Sequence, residues 1–193
     1  IPEKYMEDFK KYISSFASVS VRESSGAELV EKITGEKCEN TVDPTLLFDK
    51  NFWNDFAFTE RLVKEPYIFC YFLGGTEIHK KAIEKIEKTL GKKIVFSPFN
   101  TAINNLNTGE KIYADIKEFL TLVRDADFVI TDSFHGMAFS VNFRKSFAVV
   151  KRSDTDKGKH TRVKDFLAKI GLEDRVITDE NLKDFSFSEV NYE

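Results

Sequence analysis

Residues 126–150 read ADFVITDSFHGMAFSVNFRKSFAVV, and this stretch decides the fold class. Phe128, Val129 and Ile130 form a short apolar strand that runs straight into a polar turn, Thr131-Asp132-Ser133-Phe134-His135-Gly136. A helix follows, and then a second strand, Phe147 to Val150. A buried strand leading through a polar turn into a helix is the unit of a doubly wound α/β sheet. In such sheets ligands gather at the carboxyl ends of the strands, beside helix N-termini whose unpaired N–H groups attract anions. His135 is therefore a candidate general acid or base, or an anion ligand; the plain alternative is a histidine that holds the turn together by hydrogen bonds. Capping of the following helix is the expected job of Asp132, Ser133 can both cap and touch a ligand, and Gly136 allows close backbone approach.

Working outward, the same alternation recurs. Tyr67 to Leu73 is an uninterrupted apolar run suited to a central parallel strand, with Gly74-Gly75-Thr76 permitting a tight turn after it. The next helix turns Ile83, Ile86 and Leu90 inward and a Lys/Glu face outward, and stops at Gly91. Ile94 to Ser97 is a strand closed by Pro98, and the polar run from Asn100 to Gly109 is a loop with at most one helical turn. Asp115 and Glu118 make a capping box for a helix with Ile116, Phe119, Leu120 and Val123 on one face. After a charged loop from Lys151 to His160, Thr161 caps a last helix carrying Val163, Phe166, Leu167 and Ile170, ended by Gly171.

Upstream, Ala17 to Arg22 alternates as a strand. Ser25 and Glu28 form a capping box for a helix that Gly35 ends, and Pro44 makes Asp43 extended. This segment holds one βαβ unit, too small to stand alone. We expect residues 1–65 to be the terminal βαβ piece of an otherwise missing N-terminal domain plus a connector, and residues 66–193 to be a Rossmann-like domain. The absence of Met at Ile1 fits an excised or processed segment.

With 29 basic and 32 acidic residues the chain lacks the charge excess of a nucleic-acid binder. Cys38 and Cys70 match no zinc spacing, and buried thiols in a reduced, cytosolic setting are the simplest account of them. No apolar run approaches the roughly 20 residues of a membrane span. The 19 Phe residues are expected to pack the layers of an α/β core.

Other candidates are weaker. Arg22, ending a strand at a polar loop, can grip a carboxylate or phosphate, or be an ordinary ion-pair residue. Gly74-Gly75 resembles a phosphate-approach turn without being a GxGxxG fingerprint. Lys151, Arg152, Lys157, Lys159 and Arg162 crowd a loop after a strand end, where they can reach an anionic diphosphate or form a solvated basic face. His79 and His160 are expected on the surface. A Ser-His-Asp hydrolase is disfavoured, because Ser133 and His135 are too close in sequence to face each other and no nucleophile elbow is present.

Three separated segments resemble the polysaccharide pyruvyl transferase family: Ser20 to Ala27 (SVRESSGA) with Asp43 to Leu47 (DPTLL), Asp125 to Gly136 (DADFVITDSFHG), and Gly171 to Arg175 (GLEDR). The resemblance implies the C-terminal half of a GT-B-like two-domain fold with a site in the cleft. It also implies transfer of pyruvate from phosphoenolpyruvate to sugar hydroxyls of a cell-surface polysaccharide or its precursor, as a ketal. Arg22 and His135 then correspond to donor-binding residues, with His135 as the catalytic group. Ser133, Phe134, Gly136 and Arg152 are further candidates for substrate contact. No cofactor or metal is expected beyond the donor substrate. The partners are phosphoenolpyruvate and a lipid-linked or nucleotide-linked saccharide acceptor, with no nucleic acid and no transmembrane segment. Two alternatives stay open: a GT-B-type nucleotide-sugar glycosyltransferase, and a glycan-binding domain without catalysis.

Overall fold

A computed structural model describes residues 1–98, 109–152 and 159–192, the last range without the side chains of 159 and 160. The expected loop from Asn100 to Gly109 lies outside the described residues except for Gly109, as do 153–158 of the charged loop. The chain divides into two units, Ile1–Leu47 and Phe48–Glu193.

The first unit contains α1 (Met6–Ile13), β1 (Ser20–Val21), α2 (Ser24–Thr34) and β2 (Glu39–Asn40), and β1 pairs parallel with β2. The expected βαβ unit is therefore present, though only two residues of the strand read over 17–22 find a partner. Helix α2 begins earlier than the Ser25–Glu28 box implies. Its first turn closes on the Glu23 carbonyl, which accepts from the Gly26 and Ala27 N–H groups, and no side chain caps it. Gly35 ends it at φ 79°, a left-handed conformation that a side chain disfavours. Helix α1 has no counterpart in the sequence reading, although Tyr5, Phe9, Tyr12 and Phe16 stand at helical spacing; all four are exposed.

The second unit opens with α3 (Lys50–Phe56), capped by the Asp49 carboxylate, which accepts from the Asn51 and Phe52 N–H groups. There follow β3 (Tyr67–Phe72), α4 (Glu77–Leu90), β4 (Lys93–Pro98), β5 (Glu110–Lys111), α5 (Ile116–Asp125), β6 (Phe128–Thr131), α6 (Phe134–Asn142), β7 (Ser146–Val150), α7 (Lys159–Lys169) and β8 (Val176–Ile177). All six strands from β3 onward are parallel, in the order β5-β4-β3-β6-β7-β8. Counted from β3 as the first strand, this is the 3-2-1-4-5-6 order of a doubly wound dinucleotide-type sheet. The chain leaves β3 toward one edge and returns to β6 on the other side, so the order reverses between β3 and β6.

Alternation along each strand explains why β3 reads as continuously apolar. Ile68, Cys70 and Phe72 face Ile83 and Ile86 of α4 and the C-terminal Leu182, Phe185 and Phe187, whereas Tyr67 and Phe69 face α5, α6 and α7. Ile68, Phe69 and Phe72 are fully buried, each contributing on the order of 2–3 kcal/mol of apolar transfer. The connector belongs with this unit: the Trp53 ring on α3 meets the Phe139 ring on α6 edge-on at 4.9 Å.

Several expectations hold in detail. Asp115 and Glu118 form their capping box at 2.8 Å in both directions, and Gly91 and Gly171 end their helices at φ 60° and 67°. Others need correction. Ile116 is 79% exposed, because it is the first residue of α5 and precedes the turn at which the helix meets the sheet. Thr161 is not the cap of α7 but its third residue. Cys38 and Cys70 are free and buried.

Candidate active site

In the first unit Arg22 stands between β1 and α2, at the carboxyl end of its strand. Its Nη1 donates to Asp43 Oδ2 and its Nε to Glu23 Oε1 at 3.2 Å. Asp43 is 3% exposed and is itself held by the Thr45 N–H at 3.1 Å and hydroxyl at 2.8 Å. Burial pushes this carboxyl up, but the two Thr45 donors and Arg22 outweigh it and keep Asp43 below the usual carboxylate range. Two segments 21 residues apart in sequence thus form one hydrogen-bonded cluster.

In the second unit the sites lie where strand order reverses. Asp132, directly after β6, does not cap α6; Ser133 does, its Oγ accepting from the Gly136 N–H at 3.4 Å. The Asp132 carboxylate points the other way, across to the turn after β3. There it accepts from the Leu73 N–H at 2.6 Å and the Gly74 N–H at 2.9 Å. It also meets His79 Nε2 of α4 at 3.3 Å and takes Arg152 Nε, beyond β7, at 3.0 Å. One carboxylate therefore ties together three neighbouring strand ends. A Cβ at Gly74 would lie 3.2 Å from Asp132 Oδ2, so the glycine makes room for this approach.

His79 is not at the surface: its side chain is 0% exposed. Its Nδ1 accepts from the Thr76 N–H at 3.2 Å, which only an unprotonated nitrogen can do, so the proton sits on Nε2 and is donated to Asp132. Both ring nitrogens are thus engaged. Burial pushes Asp132 up, but the hydrogen bonds from His79 and Leu73 and the charge of Arg152 outweigh it, holding the carboxyl below its ordinary range. Sequence reasoning missed both roles. The available signal was Thr76-x-x-His79, a capping-box spacing with His in place of Glu.

His135 is the second residue of α6 and is exposed. Phe134, half-buried, turns its ring to α7, with the Arg162 guanidinium 5.4 Å above it and Phe166 at 6.0 Å. Gly136 is buried against Thr131, whose Cβ and Cγ2 would lie 3.1 and 3.2 Å from an added Cβ. Arg152 lines a pocket of about 230 Å³ at the carboxyl edge of the sheet, with Thr76, Glu77, Lys151, Asp179 and Glu180. His135, Ser133, Phe134 and Gly136 thus cluster at the start of α6, and Asp132 links that turn to Arg152. The side chains of Lys157, Lys159 and His160 are outside the described residues. Among the described residues no group of three or more His, Cys, Asp or Glu is placed to hold a metal ion, and no helix is long and apolar enough to cross a membrane.

No curated protein matches the chain. Among solved structures, one assigned to a UDP-N-acetylglucosamine 2-epimerase from Listeria monocytogenes is similar at 14% identity and a TM-score of 0.37. The match covers 78% of this chain and 43% of that one, so the chain spans less than half the length of that structure. The sequence model of the polysaccharide pyruvyl transferases matches residues 1–154, which takes in both the Arg22–Asp43 cluster and the whole β6–α6 turn. The chain belongs to the polysaccharide pyruvyl transferase family.

Proposed function

We propose that the protein transfers pyruvate from phosphoenolpyruvate onto sugar hydroxyls of a cell-surface polysaccharide or its precursor, in the cytoplasm, as part of a GT-B-like two-domain enzyme. The observation that carries this reading is the place of His135, exposed in the first turn of α6 at the carboxyl end of β6, where the sheet reverses its order. A helix N-terminus and an imidazole suit an anionic donor, and Arg22 of the first unit is assigned the role of a carboxylate or phosphate ligand.

The chemistry needs a proton on the methylene carbon of the enol ether, which becomes the methyl group. The neighbouring carbon gains oxocarbenium character and is attacked by one sugar hydroxyl. Phosphate then leaves, and the second hydroxyl closes the ketal. Of the two protons released by the hydroxyls, one balances that taken up by carbon and the other leaves with phosphate. His135 donates the proton or stabilises the departing phosphate; no cofactor is required.

The test is phosphate release by the full-length protein from phosphoenolpyruvate with a panel of lipid-linked and nucleotide-linked sugars. His135→Ala should lower turnover by about a hundredfold or more. Because the side chain is exposed, stability should change by no more than about 0.5 kcal/mol. Near-normal turnover in that variant refutes the role. Stabilisation by a nucleoside diphosphate without any phosphate release favours a nucleotide-sugar glycosyltransferase instead.

A further inference from the structure

Asp132, at the end of β6, has no exposed side-chain surface, yet it spends its two oxygens on donors from the ends of two further strands, β3 and β7, and on His79 of α4. Tying the turn after β3 to the turn after β6 needs only the Leu73 and Gly74 N–H groups. The bond to Arg152 is a further commitment, and it fixes the plane of a guanidinium that lines the pocket at the sheet edge. Glu77, Asp179 and Glu180 also line that pocket, and a carboxylate of any of them can compete for a cation. A dehydrated carboxylate makes the stronger charge-assisted bond, so Asp132 decides which way Arg152 faces. His79 assists, its Nε2 meeting Asp132 at 3.3 Å while Thr76 holds its other nitrogen. The same arrangement occurs in the first unit, where buried Asp43 holds Arg22.

We propose that Asp132, backed by His79, is a positioning residue that presents Arg152 to the phosphate or carboxylate of the anionic donor. This rests on the pyruvyl-transfer reading. Asp132 touches no substrate; it acts through Arg152 and through the β6–α6 turn that carries His135.

The experiment uses the full-length protein with phosphoenolpyruvate as probe, measured by calorimetric affinity and by KM and kcat separately. Alongside these, the Arg152 Nε–H resonance is followed by NMR. In the parent this resonance should exchange slowly, and Asp132→Asn should remove that protection. Asp132→Asn should weaken phosphoenolpyruvate binding by about tenfold or more, as expected for loss of a charge-assisted contact. Combined with Arg152→Gln, it should cost no more than Arg152→Gln alone. A purely structural role predicts the opposite, a lower melting temperature with affinity per folded molecule unchanged, and that result overturns the proposal. If Asp132→Asn does not fold, Arg152→Lys keeps the charge and removes the Nε anchor. It should show the same loss, and parent-like affinity there also overturns the proposal. A parent protein that binds no phosphoenolpyruvate refutes the pyruvyl-transfer reading and the aim assigned to Arg152 together, whereas intact parent binding with an unaffected Asp132→Asn refutes the positioning role alone.

Discussion

Gly136→Ala separates packing from ligand approach at the β6–α6 turn. The new Cβ would lie 3.1 Å from Thr131 Cβ and 3.2 Å from Cγ2, and closer still to Oγ1. Thr131 is fully buried and cannot retreat cheaply: its Oγ1 donates to the Tyr71 carbonyl and accepts the Ser133 N–H at 3.0 Å. Overpacking costs about 1–3 kcal/mol and a disturbed hydrogen bond about 1 kcal/mol, while the better helix propensity of Ala returns about 1 kcal/mol. The net effect is a destabilisation of about 2 kcal/mol, which for a chain of this size lowers Tm by roughly 4–8 °C. Urea unfolding should show a lower midpoint with an unchanged slope. Removing the Thr131 hydroxyl and methyl by Thr131→Ala should make the same glycine substitution cheaper. A Gly136→Ala protein as stable as the parent, but unable to bind donor, would refute the packing argument and make Gly136 a point of backbone approach to ligand.

Acid should also destabilise the fold in a defined window. Asp132 and Asp43 are both held below the ordinary carboxylate range, so their stabilisation is fully present above the unfolded value of about 3.9 and is lost as pH falls through the folded values. Urea midpoints should stay level on this account down to about pH 5 and drop below about pH 4, with a shallower drop in Asp132→Asn; a midpoint that rises in acid contradicts it. Lys85 Nζ donates to the carbonyls of Leu182, Lys183 and Phe185 at 2.7, 2.7 and 2.9 Å, which pins the C-terminal segment over α4. Lys85→Met should destabilise by about 1–3 kcal/mol and speed hydrogen exchange around residues 182–187; unchanged exchange there would show that the apolar contacts of Phe185 and Phe187 suffice.

How much was legible follows from where each residue's partners lie. Helix ends marked by Gly91 and Gly171, and the Asp115–Glu118 box, depend on neighbours within a few residues, so their spacing announces them. The central strand β3 was legible for another reason: burial on both faces leaves an unbroken apolar run. Strand β1 showed itself through the alternation over 17–22, whereas β2 and the edge strand β5 are two residues long and carry no period to detect. The contacts that Asp132 makes with His79, Leu73 and Gly74 were hidden because they join residues 53 to 59 positions apart in sequence, adjacent only once β3 and β6 pair. A histidine on a Lys/Glu-rich helix reads as solvent-facing until the strand order places a carboxylate beside it.

The two arginines show why such partners are needed. A strand-end guanidinium that is to meet an anion must be oriented before the anion arrives, because a long side chain otherwise loses its rotamer freedom on binding. A buried aspartate supplies that orientation at a desolvation cost, and the cost is bearable only when further donors surround the carboxylate. Asp43 has the Thr45 N–H and hydroxyl for this purpose, and Asp132 has Leu73, Gly74 and His79. Each aspartate is therefore the centre of its cluster and each arginine its outward member. That hierarchy explains the sequence spacing: Arg22 and Asp43 flank a helix and a strand, and Asp132 and Arg152 likewise flank α6 and β7, so each pair closes across one helix-and-strand step of a parallel sheet.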